Sequence, residues 1–271
     1  VNHLASIRFE PPPENQAGSY PFSVAAIAAL AGSELALDRD VTFLIGENGS
    51  GKSTLLEALA CAAGSVAVAS DPLERDVTLN EARLLADTMR LSWRRRTRAG
   101  FFMRSEDFFG FTKYLRQLKQ RLQADLEAVD EIYAESSEYA RGLGRSPFLK
   151  ELAAMRSMYG DDLDAYSHGE SYFTLFRARF KPKGLYLLDE PEAPLSPLRQ
   201  IALLSMLKGM VDEQGAQFII ATHSPILMAY PGAAIHSFDG GAFRPIDYAD
   251  VEHVSVTRAF LQNPERFLRH L

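Results

Sequence analysis

One cysteine, Cys61, stands in a chain of 271 residues. No disulfide can close within it, and the expected compartment is a reducing one, the cytoplasm. Cys61 lies in an apolar helical stretch, where packing is its expected role. Long hydrophobic runs are also missing. A bilayer span needs about 20 apolar residues, and even the alanine-rich stretch 24–31 is too short, so no direct membrane insertion is expected. The opening residues, 1–8, lack the charged-then-apolar layout of a secretion signal. Basic residues are outnumbered, 29 Lys and Arg against 35 Asp and Glu, for a net charge of −6. That balance removes the background attraction that nucleic-acid binding draws on. No internal repeat or low-complexity segment interrupts the chain.

What is present is a hydrophobic content of 46%, sufficient for one substantial core. The length suits a single α/β domain spanning 1–271 with an inserted lobe. The most informative stretch is Gly46-Glu47-Asn48-Gly49-Ser50-Gly51-Lys52-Ser53-Thr54. It follows the apolar run 41–45 and opens the helix-forming run 54–60. A strand, a glycine-rich turn and a helix N-terminus in that order make a phosphate cradle, because the glycines let successive N–H groups converge on an anion at the positive end of the helix dipole. Lys52 is then placed to reach the β- and γ-phosphates and the Ser53 hydroxyl to hold Mg²⁺.

Around this turn the chain divides. An opening strand is expected from Leu4 to Phe9, stopped by Pro11-Pro12-Pro13, and a second over Tyr20 to Val24. From Leu84 to Lys181 the pattern reads as a helical lobe. Phe111, Leu115, Leu118, Leu122, Leu126 and Val129 form one stripe at helical spacing, with Gly142 and Gly144 expected to end that helix. A second helix is expected after Pro147. The second part of the core, 185–271, resumes with the apolar strand 185–188, a helix from Pro197 and the strand 217–222. Then come a hairpin turn at Asp239-Gly240-Gly241 and a closing helix pair broken at Pro264. Strands alternating with helices imply a largely parallel sheet with ligand sites at the strands' carboxyl ends.

Two motifs fall at such ends. Asp189-Glu190-Pro191 closes the strand 185–188, and successive residues of an extended chain point in different directions. Asp189 can therefore serve a metal while Glu190 polarises a water, although paired acids at a strand end are as often solvated turn residues. A phosphate loop upstream favours the first reading, since a triphosphatase needs a Mg²⁺ carboxylate and a group to orient its attacking water. His223, in Thr222-His223-Ser224-Pro225, follows the next buried strand. It is expected beside Glu190, where an imidazole can donate to a γ-phosphate; a histidine there otherwise caps or faces solvent.

Ser167-His168-Gly169-Glu170-Ser171 reads locally as a glycine turn with a serine N-cap. With it the chain resembles the ABC-type ATPases. The order is theirs: phosphate loop, helical lobe, signature, paired acids, switch histidine. The details resemble the stand-alone soluble branch related to the SMC, RecF and double-strand-break-repair ATPases more than transporter subunits. They are the histidine within the signature, Glu47-Asn48, Asp189-Glu190-Pro191-Glu192 leading to Leu195-Ser196-Pro197, and the closing residues 260–268.

The resemblance implies a P-loop NTPase fold with an ABC-type core: a mostly parallel sheet flanked by helices, antiparallel N-terminal strands and the inserted lobe. It also implies ATP and Mg²⁺ as cofactors and a homodimer in the ATP state. In that dimer Ser167, Gly169 and Glu170 of one copy would close over ATP bound at Lys52 of the other, and the motion would drive a further protein partner. Two departures stand out. The glutamine that opens the lobe in the family has no counterpart after Gly100-Phe101-Phe102-Met103, where Glu106 is the candidate substitute as a metal-sensing residue. The loop after the paired acids lacks the usual aspartate. An aromatic for stacking on adenine could be Tyr20 or Phe22, each equally readable as core. Trp93-Arg94-Arg95-Arg96-Thr97-Arg98 with Phe101 and Phe102 is the one candidate nucleic-acid surface, against the bland alternative of arginines facing water or paired with acids. Other roles considered are a transporter's energising subunit and a DNA-maintenance ATPase.

Overall fold

The computed structural model describes residues 2–66, 77–159 and 168–269. It divides into a larger unit, Val1–Ser105 with Lys181–Leu271, and a second unit, Glu106–Phe180.

The larger unit begins with β1 (Leu4–Phe9), α1 (Ala25–Ala28), β2 (Glu34–Ala36), β3 (Val41–Ile45) and α2 (Lys52–Ala63). A 3₁₀ turn leads into α3 (Asn80–Asp87), then β4 (Met89–Trp93) and β5 (Gly100–Met103). These elements form a small antiparallel sheet in the order β2-β1-β4 and supply two strands, β3 and β5, to a larger one. The second strand is thus Glu34–Ala36 and not Tyr20 to Val24. In the latter stretch Pro21 offers no N–H to a ladder, and the amides of Ser23 and Val24 bond back to the carbonyls of Ser19 and Pro21, winding the chain into turns that lead to α1.

The second unit contains nearly all of α4 (Ser105–Ile132), with α5 (Glu138–Tyr159) and α6 (His168–Arg179). It starts at Glu106 instead of 84, because β4 is hydrogen-bonded to β1 and β5 to the central sheet. The expected stripe of α4 buries Leu115 and Leu122. Gly142 and Gly144, expected as helix terminators, lie inside α5, as does Pro147. Gly144 serves a close approach: a Cβ there would meet Val129 Cγ1 at 3.1 Å and Tyr133 Cε2 at 3.4 Å. Glycine in this helix is spent on packing α5 against the end of α4 rather than on ending it.

The chain returns to the larger unit with β6 (Leu185–Asp189), α7 (Pro197–Gln214), β7 (Gln217–Ala221), α8 (Pro225–Met228) and β8 (Ala234–Ser237). After the turn at Asp239–Gly241 come β9 (Arg244–Pro245), α9 (Glu252–Gln262) and α10 (Pro264–Leu268). The central sheet runs β5-β6-β7-β3-β8-β9, parallel except for β9. Strands β3, β6 and β7 are buried at every residue, as a parallel sheet covered on both faces requires, which is why they read as continuous apolar runs. Leu55, Leu56 and Leu59 of α2 pack into the same core cluster as Leu44 and Leu187. Buried Gln217 ties the two sheets together: its Oε1 accepts from the His3 and Leu4 amides, both at 2.8 Å, and its Nε2 donates to Leu4 O at 3.0 Å. Cys61 packs at the margin of this core, as expected. Among the described residues no helix is long and apolar enough to cross a membrane.

Candidate functional site

The loop between β3 and α2 turns through three glycines with positive φ: 143° at Gly46, 78° at Gly49 and 105° at Gly51. A side chain at Gly46 would be strained in backbone and crowded in space, its Cβ 3.0 Å from both Asp239 Oδ1 and Ser50 Oγ. Asp239 is the loop's outer tether. Its Oδ1 accepts from the Glu47 amide at 2.9 Å and its Oδ2 from Ser237 Oγ at 3.0 Å. Lys52 is buried at the opening of α2, and its Nζ donates to the carbonyls of Gly46 at 2.7 Å and Glu47 at 2.8 Å. Burial pushes its pKa down, resisted by the carboxylates of Glu190, Asp189, Asp239 and Glu192. The cation is therefore held at the mouth of the cradle by the loop it serves. Thr54, two residues further along α2, is hydrogen-bonded at 2.8 Å to the hydroxyl of half-exposed Tyr20, whereas Phe22 belongs to the core.

The acids arrive from the sheet. Asp189 pairs with Ala221 of β7, which pairs with Leu44 of β3, so the three strands deliver their carboxyl ends to one level. Asp189 is buried, and burial raises its pKa to about 6; the Ser53 hydroxyl bonds to the carboxylate and lowers it, Glu190 raises it and Lys52 lowers it. Among the described residues its Oδ1 has no hydrogen-bond partner. A carboxylate oxygen that is buried, unpartnered and beside a serine hydroxyl is costly unless a cation shares the site. The Ser53 and Asp189 pair thus fits Mg²⁺, a hard ion satisfied by a few protein oxygens and completed by phosphates and water.

Glu190 breaks from the strand with a φ of 47°, a strained position for a residue with a Cβ, and its amide donates to Ala221 O at 2.9 Å. The turn carries its carboxylate away from Asp189 and toward His223, whose Nε2 lies 3.6 Å from Glu190 Oε1. Burial lowers the His223 pKa first, with the Lys52 charge adding to it and Glu190 opposing, so the ring is neutral near pH 7. The expected neighbours have met.

Two residues not singled out from the sequence complete the arrangement. Half-buried Glu192 clamps the segment after β7, its Oε1 accepting from Thr222 Oγ1 at 2.6 Å, the His223 amide at 2.7 Å and the Ser224 amide at 3.1 Å. Burial raises its pKa against those hydrogen bonds. The third acid of Asp-Glu-Pro-Glu was the available signal. His253, at the start of α9, sets its Nε2 3.4 Å from His223 Nδ1 with the rings edge to face. Nothing local marks it, because the contact depends on how α9 folds back. Glu47, Asn48, Glu190, His223 and His253 line an open cavity of about 520 Å³. A second cavity, about 440 Å³, lies on the other side of the loop between Val24–Ala26 and Phe238–Gly241.

Ser167 lies outside the described residues. Gly169 and Glu170 belong to α6 and Glu106 to α4 by their backbones, and the side chains of Glu170 and Glu106 also lie outside them. Among the described residues no cluster of three or more His, Cys, Asp or Glu side chains could hold a metal by itself. The arginine-rich stretch is partly neutralised at its start: Arg94 pairs with Asp38 at 3.3 Å and Arg90 with Glu10 at 2.7 Å.

Over 222 residues the chain is 29% identical to the macrolide export ATP-binding/permease protein MacB of Bradyrhizobium diazoefficiens; the match covers 79% of the chain but only 30% of that relative. Solved structures of similar chain path include cbiO1 from Clostridium perfringens, part of an ABC transporter complex (TM-score 0.45, 17% identity, all of both chains), and an ABC transporter's ATP-binding cassette in its ADP conformation (0.48, 16%, 95% and 99%). A third is the Smc head domain from Pyrococcus furiosus (0.44, 12%, 96% and 99%). The sequence profile of one P-loop ATPase family matches residues 41–168 and 171–229, from β3 to past His223. The chain belongs to that family, described as "AAA domain, putative AbiEii toxin, Type IV TA system".

Proposed function

We propose that the chain binds and hydrolyses ATP with Mg²⁺, as a homodimer closed by the nucleotide, and that the closing motion drives a further protein partner. The observation that carries this reading is the orphaned oxygen of Asp189 beside Ser53, facing the Lys52 cradle, with Glu190 turned off the same strand end toward His223. Lys52 and the amides of residues 46–54 hold the phosphates, and the nucleoside extends over the Val24–Ala26 cavity with Tyr20 as the neighbouring aromatic. Ser53 and Asp189 hold Mg²⁺, whose charge offsets that developing on the phosphate oxygens; Glu106 is the proposed third contributor. Glu190 orients and activates the water, and His223 contacts the γ-phosphate. Ser167, Gly169 and Glu170 of a second copy complete the site at the N-terminus of α6, which supports an anion with its dipole. A cytoplasmic location is part of this reading.

Phosphate release from ATP and Mg²⁺ tests it. The wild-type chain should turn over, and Glu190→Gln should lose about 100-fold in kcat while keeping nucleotide affinity, the size expected for removing a general base. Equal turnover in the two proteins would remove Glu190 from the reaction.

The match to an export ATP-binding/permease protein favours a second reading, an energising subunit for a membrane transporter. Stable co-purification with an integral membrane protein would support it. A nucleic-acid role is weakened by the ion pairs of Arg90 and Arg94 and the net charge of −6.

A further inference from the structure

His223 is held on two sides. Its backbone amide is fixed by the carboxylate of Glu192 at 2.7 Å. Its ring stands between the Glu190 carboxylate, 3.6 Å from Nε2, and the His253 imidazole, whose Nε2 lies 3.4 Å from Nδ1. The ring centroids of the two histidines are 5.2 Å apart at 69°, so one ring's nitrogen edge addresses the other.

The two possible proton placements are not equivalent. With the His223 proton on Nδ1, Nε2 would present a bare lone pair to the Glu190 carboxylate and to the anionic phosphate that the site is built for. Both contacts would be repulsive. With the proton on Nε2, that nitrogen turns its N–H toward the Glu190 carboxylate, which at 3.6 Å is an attraction beyond hydrogen-bond reach, and toward the phosphate, which would give this buried nitrogen the partner it lacks among the described residues; Nδ1 must then accept. The group placed to donate to Nδ1 is His253 Nε2. Among the described residues the other nitrogen of His253, Nδ1, is buried without a partner. An unpaired acceptor is cheaper to bury than an unpaired N–H, which places the His253 proton on Nε2 as well.

We propose that His253 is a positioning residue for His223: by donating from Nε2 to His223 Nδ1, it fixes the switch histidine in the tautomer that carries its proton on Nε2, facing Glu190 and the phosphate. The inference rests on the reading of this site as the ATP-hydrolysing centre. The fold supplies the rigidity such a role needs. Val251 and Val254 are buried on either side of His253, which locks the first turn of α9. The Tyr248 hydroxyl donates to Pro225 O at 3.1 Å, fastening the approach to α9 onto the chain just beyond His223. Movement of α9 would therefore reach the proton of the catalytic histidine directly.

The test has a spectroscopic arm and a kinetic arm on the full chain. Nitrogen-15 imidazole spectra at a pH where the rings are neutral should show His223 protonated at Nε2 and unprotonated at Nδ1. His253→Phe, which keeps a ring but no donor, should mix the two tautomers. His253→Gln, which offers an amide N–H at similar reach, should restore the wild-type pattern. In turnover, His253→Phe should lose about tenfold in kcat with the KM for ATP within about twofold, as second-layer orienting groups do, and His253→Gln should recover most of the loss. A wild-type His223 carrying its proton on Nδ1, or a tautomer unchanged in His253→Phe, would overturn the proposal. The wild-type spectrum decides this even where a variant fails to fold. Absence of any wild-type ATP turnover would instead sink the hydrolytic reading, and the spectra would still report on the contact itself.

Discussion

The larger unit places its chemistry at the ends of buried strands, whereas the second unit offers helix faces. In the first, Gly46 follows β3, Asp189 closes β6 and His223 lies just past β7, and the ladders of these strands align to a residue; each of these groups inherits the rigidity of a covered parallel sheet. In the second, α4 and α5 meet through small contacts such as Gly144 against Val129 and leave Ile132, Tyr139, Leu143 and Leu149 exposed. The proposed phosphate and metal contacts demand sub-ångström placement, which strand ends supply. Surfaces meant to meet other chains can be built on helices that bury one stripe only.

The sharpest break between the regions should come from Lys52→Ala, with about 100-fold or greater loss of ATP affinity by calorimetry, because a buried charge-assisted contact disappears. Unchanged affinity would contradict its role. Next in size is Asp189→Asn. The folded chain holds this proton up to about pH 6, while the unfolded chain releases it near 3.8. Stability therefore falls as pH rises through that window, and the cost, about 3 kcal/mol at most, is fully present at pH 7.5. The amide should raise the melting temperature of nucleotide-free protein at pH 7.5 by several degrees, with the gain vanishing below about pH 4. Equal melting curves at pH 7.5 would mean that the charge is not strained. Gly144→Leu should cost about 1–3 kcal/mol by overpacking, seen as faster hydrogen exchange confined to the second unit, with ATP affinity intact. Faster exchange in β3 or β6 would show that the regions are not separable. Smallest is Arg94→Ala: its pair with Asp38 is exposed on both sides, so thermal stability should change by no more than about 0.5 kcal/mol.

The nucleotide-binding strands were legible because each is a continuous apolar run ending in chemistry, and β3, α2, β6, α7 and β7 fall where that pattern puts them. Local signals failed where tertiary contacts overrode them. Tyr20 to Val24 has strand-like aromatics, but Pro21 and its turn bonds bend it toward α1. Gly142 and Gly144 look like helix ends, yet Gly144 sits mid-helix because Val129 and Tyr133 need the room. Asp189 and Glu190 were legible as a pair at the end of an apolar strand, and the structure places them there. Glu192 was visible only as a third carboxylate without a task, and its task lies on backbone amides about 30 residues away. His253 carries no pattern of its own, since its meaning is a distance to another ring.

The most direct measurement is the mass in solution of Glu190→Gln with ATP and Mg²⁺. The account predicts a stable species of twice the chain mass that reverts to monomer when Mg²⁺ is chelated. A protein that stays monomeric with ATP bound, while the wild type hydrolyses ATP at a rate independent of protein concentration, would contradict it.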